Sequence, residues 1–426
     1  MNNFSGLHAS KFSPLIVVGT FWCITFLVYF FDLVIEYPSK NDFLLLLFFF
    51  SSLISGVCGY LAAASIKIRM AKKVACRQYA IVGFLAYVGL FYPIVNVYTG
   101  NNLTDFFALL LSPLDAYQSM HEMVSGDRME RAWLIILKII LSPFILFSLP
   151  YFAMRYINEN KDKKYFVILV FLYFAMSVFR GTDKEIFDTF IIVFSVFLAC
   201  RPNMVFKLFY KVKYLKYFLI FILFVSLIVF EFYHKKSDRL GDVESRCFSS
   251  TDICYEVDSG DPINFVTSLL SSYLTQGYYG LASSFDGDFN SSWGLGHSKS
   301  LEYLGSLAGI SKSENLVRQL DSLGWSSKGH WSSGFVWMAN DVPYAIIPII
   351  IFFIFFWMGY SFIAFYKHGD VFSLVVFSYF FHILIYMPAN LQLAQTGDLY
   401  IGFIFIFAIY LLRFVVNFSS VRNVKI

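Results

Sequence analysis

Apolar runs close to the length of a bilayer crossing recur from one end of this 426-residue chain to the other. The hydrocarbon core demands a helix of roughly 20 apolar residues, and inside lipid such a run must satisfy its own backbone groups, which makes it helical. Runs of this kind lie at about 14–36, 43–65, 79–98, 132–154, 165–179, 186–200, 215–233, 343–366, 371–388 and 399–417. The expected fold is therefore an all-α polytopic membrane protein of about ten spans. Composition agrees, with 58% hydrophobic residues against 15% charged ones.

Basic loops set the expected orientation. Lys67, Arg69, Lys72, Lys73 and Arg77 follow the second run, and Arg155, Lys161, Lys163 and Lys164 follow the fourth. Arg201, Lys207, Lys211, Lys213 and Lys216 follow the sixth, and Arg413, Arg422 and Lys425 close the chain. Loops of the opposite parity carry few cations: only Lys40 in the first, and none in PANLQLAQTG. With ten spans all the basic loops fall on one face, so both termini are expected in the cytoplasm. The net charge of +4 then reports topology and not affinity for nucleic acid. The first run is too long for a cleavable signal and is expected to remain as an anchor.

Three regions follow: a membrane body over 1–233, a large and mainly helical external loop over 234–342, and a second membrane portion over 343–426. Cys247 and Cys254 form a close pair inside that loop, while Cys23, Cys58, Cys76 and Cys200 lie in or beside spans. A pair confined to the exported segment suggests a disulfide in an oxidising compartment, with two free thiols as the alternative. No CxxC or Cys/His spacing suits zinc, so no metal is expected.

The stretch VFRGTDKEIFD, 178–188, sets four charges, Arg180, Asp183, Lys184 and Glu185, between two membrane-grade runs. Gly181 is a suitable helix stop. Thr182 and Glu185 match a capping box for the outgoing helix. Each flanking run has only 15 residues, about 22 Å of helix at 1.5 Å per residue, against a hydrocarbon thickness of about 30 Å. The hairpin tip is thus expected below the outer surface, where charges imply partners or a wet cavity. An anion held by Arg180, Lys184 and the start of the next helix is one solution; an Arg180–Asp183 or Arg180–Asp188 ion pair is the other.

The external loop opens with HKKSDRLGD, so His234, Lys235, Lys236 and Arg239 lie at the interface, either as headgroup anchors or as a second cationic wall of the same pocket. Asp261 and Pro262 read as N-cap and first turn of a helix stopping at Gly277. Ser311 and Glu314 start another ended by Gly324, and both helices are expected to form a lid. Four of the seven tryptophans, Trp293, Trp325, Trp331 and Trp337, lie in this loop among Gly, Ser and Asn. Such a lining suits a carbohydrate; for Trp331 and Trp337 an interfacial belt is the favoured reading, while Trp293 stays open between the two. His297, His330 and Asp341 are the candidate proton acceptors, of which His297 and Asp341 compete for the role of base.

FRGTDKE, YLTQGYYGLA, GLGHS and WMANDV, in this order, resemble Wzy-type O-antigen polymerases, the oligosaccharide repeat-unit polymerases of bacterial envelopes. The resemblance spans the fifth to eighth runs and their loops. It implies a multi-pass bacterial inner-membrane protein with its site and its 234–342 loop facing the periplasm. The implied activity is metal-independent glycosyl transfer without a cofactor. A growing glycan on undecaprenyl diphosphate moves onto the terminal sugar hydroxyl of a lipid-linked single repeat unit. The partners it implies are those lipid-linked oligosaccharides and membrane lipid, with a chain-length regulator as a further candidate. In that scheme Arg180, Lys184 and Arg239 hold the diphosphate, His297 or Asp341 takes the proton, and Trp293, Gln276 and Tyr279 line the glycan path. An O-antigen ligase or a lipid-linked oligosaccharide flippase is the alternative.

Overall fold

The computed structural model describes residues 10–68, 76–125, 131–203, 215–241, 244–248, 251–258, 260–307, 309, 314–327 and 329–419. Arg69, Lys72, Lys73, Lys207, Lys211, Lys213, Arg422 and Lys425 of the basic loops, and the Ser311 start of the expected capping box, lie outside them. The long helices are α1 (Ser13–Phe30), α2 (Asp42–Ser65) and α3 (Cys76–Thr99). Two shorter helices, α4 (Phe106–Leu111) and α5 (Pro113–Ser125), precede α6 (Ala132–Glu159), α7 (Lys163–Arg180), α8 (Lys184–Cys200) and α9 (Leu215–Leu240). Then come strands β1 (Ser245–Cys247) and β2 (Cys254–Glu256), and helices α10 (Pro262–Ser284), α11 (Lys299–Leu307), α12 (Leu316–Gln319) and α13 (Gly334–Ala339). The chain closes with α14 (Ile347–His368), α15 (Val371–Tyr386) and α16 (Gly397–Ser419). Among the described residues six helices are long and apolar enough to cross a membrane: α1, α2, α3, α6, the segment Tyr344–His368 and α16. The protein is thus an all-α membrane protein. α7, α8 and α15 carry three further expected runs in 18, 17 and 16 residues.

Short α15 is the centre of the bundle. It packs against α14, α8, α16, α6 and α1, and Phe372 to Leu384 are all buried. A helix apolar on every side belongs in such a position. Its start is fixed by Asp370, whose carboxylate accepts from the Ser373 N–H at 3.1 Å, and its end by Pro388.

Prolines leave carbonyls without their i+4 donors, and the bundle supplies substitutes. Pro150 removes the donor for Leu146, whose carbonyl accepts instead from the Tyr379 hydroxyl at 3.2 Å. Pro143 does the same to Ile139, satisfied by Ser142 Oγ at 2.8 Å. Pro388 strips Leu384, and the Trp22 indole N–H donates there at 2.7 Å. Such replacements are what allow proline inside membrane helices.

The expected lid differs. Asp261 does cap α10, its carboxylate accepting from the Ile263 and Asn264 N–H groups. The helix nevertheless runs straight through Gly277, because Gly277 faces the Pro388 carbonyl at a distance that leaves no room for a side chain. The C-terminal half of α10 is embedded in the body: Tyr278 is buried against Phe26 and Phe49, with its hydroxyl 3.0 Å from Thr25 Oγ1. α12 already ends at Gln319, and Gly324, at φ +83°, closes the turns that follow it. Trp325 and Trp337 are buried, so Trp337 is no interfacial belt residue but part of the loop's own core. Cys247 and Cys254 face each other across the β1–β2 ladder and are joined by a disulfide.

Candidate functional site: a cationic hairpin between α7 and α8

Gly181 ends α7 in the left-handed region, at φ +57°. The Gly181 N–H bonds to the Val178 carbonyl at 3.0 Å and the Thr182 N–H to Ser177 at 3.1 Å, the paired bonds of a glycine-terminated helix. A Cβ here would also strike the Pro113 carbonyl and Tyr117 of α5, which packs across the tip. The expected capping box does not form. α8 starts at Lys184 with no side-chain cap. Glu185 turns away from the backbone; one carboxylate oxygen takes Arg180 Nη1 and the other the Thr182 hydroxyl at 3.1 Å. A guanidinium in a half-buried site attracts a carboxylate more strongly than a backbone N–H does. Arg180 is therefore paired with Glu185, and not with Asp183 or Asp188. Lys184 reaches one turn on to Asp188 at 2.7 Å, and Asp188 accepts on its other oxygen from the His382 ring of α15 at 2.9 Å.

α9 does not stop where the apolar run ends at 233. It continues through the cations to Leu240 because they are held by protein groups and not by headgroups. Lys235, 1% exposed, donates to Ser177 Oγ at 2.8 Å and to the Thr182 carbonyl at 3.3 Å, with Glu231 at 3.3 Å and Asp183 at 3.7 Å. Lys236 lies 3.5 Å from Asp183 and donates to the Tyr273 hydroxyl of α10 at 3.0 Å. Arg239 places its guanidinium 3.5 Å from the centre of the Tyr117 ring and 3.5 Å from the Gly181 carbonyl. Asp238 fixes the start of α5 by accepting from the Leu114 N–H at 2.8 Å. Headgroup anchoring of Lys235 and Lys236 is thereby overturned.

Five cations from three helices, Arg180 of α7, Lys184 of α8 and Lys235, Lys236 and Arg239 of α9, thus meet around one turn, interleaved with Asp183, Glu185, Asp188 and Glu231. Among the described residues Arg239 alone of the five has no carboxylate within ion-pair distance. Tyr273 reports the local field. Burial pushes its hydroxyl up, but Lys236, with Arg246 and Arg239, outweighs this and holds it below the ordinary tyrosine value. A polyanion entering here would exchange with the carboxylates for cations already gathered.

His297 and Asp341, expected as rivals, form one unit. Asp341 accepts from the Gly296 N–H at 2.8 Å, the His297 N–H at 3.1 Å and the His297 ring Nδ1 at 2.6 Å. His297 Nε2 pairs with the Tyr400 hydroxyl at the start of α16. Both ring nitrogens are engaged within the protein, one by a carboxylate and the other by a hydroxyl. The arrangement clamps the GLGHS segment onto α16. Trp293 projects beside it, 83% exposed at φ +55°. Gln276 does not face a glycan path: it is buried, with its side-chain carbonyl accepting from the Trp331 N–H at 3.1 Å. Tyr279 packs between Tyr37 and Trp325. His330 lies against Trp325.

The structure thus joins Arg180, Lys184 and Arg239 in one cluster and His297, Asp341 and Trp293 in another. Among the described residues no hydrogen bond or ion pair directly joins the two. Three contributors went unforeseen: Lys235 as a buried pin, Tyr273, and His382. A signal existed for His382, the one basic group in VFSLVVFSYFFHILIY. Comparison with family models, with curated proteins and with solved structures finds no match.

Proposed function

We propose that this chain crosses a bacterial inner membrane ten times with both termini in the cytoplasm, and that the hairpin cluster faces the periplasm. There it binds the diphosphate of a polyprenyl-linked glycan and moves the glycan en bloc onto a sugar hydroxyl of a second lipid-linked unit, as the resemblance to O-antigen polymerases implies. The observation that carries this reading is the meeting of Arg180 and Lys184 with Lys235, Lys236 and Arg239 at one end of the bundle. A departing diphosphate needs preorganised positive charge where its own charge develops. Arg180 supplies a planar fork, Lys184 a movable point charge, and Arg239 a guanidinium with no carboxylate to displace. Lys235 and Lys236 hold the turn that presents them. Trp293 offers an exposed aromatic face for a sugar ring, while the His297–Asp341–Tyr400 unit anchors the loop that bears it.

The test is elongation of lipid-linked repeat units by purified protein with no lipid A core present. Longer lipid-linked chains support a polymerase over a ligase or a flippase. Unchanged repeat units under conditions where the protein binds undecaprenyl diphosphate would overturn it.

A further inference from the structure

We propose that Asp188, positioned from behind by His382, is the proton acceptor for the attacking sugar hydroxyl; this rests on the glycosyl-transfer reading above.

The reaction needs a base at the hairpin, and His297 belongs to the separate cluster with Asp341 and Tyr400. Of the four carboxylates among the cations, Asp183 and Glu231 face the buried Lys235, which leaves two. Glu185 is 10% exposed at its side chain, with Arg180 and Thr182 on its two oxygens. Asp188 is the more open, at 21%, one turn into α8. Its Oδ1 takes His382 Nε2, and its Oδ2 takes Lys184 Nζ.

The two anchors differ in kind. His382 is 3% exposed and fixed in the central helix α15. Among the described residues its Nδ1 has no hydrogen-bond partner, so the ring's one polar contact is the Nε2 bond to Asp188. Burying a histidine and an aspartate in membrane helices is costly unless they act together. Lys184, by contrast, is 23% exposed on a flexible stem beside Arg180. A diphosphate taken up by Arg180 draws Lys184 toward it and releases Oδ2, while His382 keeps Oδ1 in place. Binding of the donor thereby uncovers the base.

In the step itself a lone pair on the acceptor oxygen forms the new bond to the anomeric carbon. The bond from that carbon to the diphosphate oxygen breaks, and its electron pair leaves with the diphosphate. The acceptor's proton passes to Asp188 Oδ2 and from there to water. His382 is a positioning residue in this scheme and touches no substrate.

The full-length protein in lipid nanodiscs provides the test, with undecaprenyl diphosphate as the binding probe and elongation of lipid-linked repeat units as the turnover readout. Asp188→Asn is expected to bind the probe within threefold of the parent and to lose 10²- to 10⁴-fold in turnover, the usual range for a missing general base. His382→Gln, which retains an N–H donor, is expected to keep at least tenfold more turnover than His382→Leu at unchanged KM. Asp188→Asn turnover within tenfold of the parent overturns the proposal and leaves the function standing. So does parallel loss of probe binding, which would make Asp188 structural. A parent protein that neither binds the probe nor elongates overturns both.

Discussion

Replacing Lys235 by methionine removes the pin that joins the end of α9 to the hairpin. Its side chain is 2% exposed, and its ammonium has four partners: Ser177 Oγ at 2.8 Å, Glu231 at 3.3 Å, the Thr182 carbonyl at 3.3 Å and Asp183 at 3.7 Å. Removing one member of a buried pair costs about 3–5 kcal/mol, because the other charge stays behind. Here the lower end applies. Asp183 keeps Lys236 at 3.5 Å, and Glu231, 19% exposed, recovers some water. The expected loss is about 3 kcal/mol. Adding Glu231→Gln removes the stranded carboxylate and should return about 1–2 kcal/mol, the desolvation cost of an unsatisfied group. Equilibrium unfolding in mixed detergent micelles measures both, with the parent and Glu231→Gln completing the cycle. A single variant within 1 kcal/mol of the parent, or a double variant no more stable than the single one, would refute the account of Lys235 as a buried pin.

Arg180→Lys keeps the charge but loses the fork, and Arg180→Ala loses both and strands Glu185; compared at equal amounts of folded protein, each should lower turnover by roughly 10²–10³, and full turnover by Arg180→Lys would make the Glu185 pair purely structural. Gly277→Ala drives a methyl into the Pro388 carbonyl and should cost roughly 1–3 kcal/mol as overpacking, read as lowered thermal stability, whereas Gly324→Ala strains only an exposed turn. Tyr273 should ionise below the ordinary tyrosine value in an ultraviolet titration. Its native value is depressed relative to the unfolded chain, so its ionisation adds stability that is complete above the unfolded value and lost as pH falls through the native one; Lys236→Met should move the titration upward. Thiol blocking without reductant should leave Cys247 and Cys254 unlabelled, and two labelled thiols there would contradict the β1–β2 bridge.

Much of the helical framework is visible in hydropathy, because lipid leaves the backbone few alternatives. The hairpin was legible too: Gly181 stops α7 for a steric reason that sequence carries. What sequence did not carry was competition. Thr182 and Glu185 satisfy a capping pattern, but a guanidinium five residues back in the chain outbids the backbone for Glu185. Gly277 looks like a stop signal, and only the approach of Pro388, from another part of the chain, turns it into a packing glycine. His297 and Asp341 each fit a base when considered alone, and their pairing with Tyr400 is a matter of tertiary geometry. Asp188 needed His382, 194 positions away, to become interpretable.

The bond from the Trp22 indole to the Leu384 carbonyl spans 362 residues, and that separation has a consequence in time. Ribosomes deliver about 5–20 residues per second, so α1 enters the bilayer roughly 20–70 s before its acceptor exists. Through that interval the Trp22 N–H must be held elsewhere, by headgroup, by the insertion machinery or by another early helix. The Leu384 carbonyl, stripped of its own helical donor by Pro388, has in turn nothing to accept from until α1 is docked. Final closure of the bundle is thereby coupled to completion of the chain. A ribosome stalled before α15 leaves a chain whose Trp22 N–H still lacks its Leu384 acceptor.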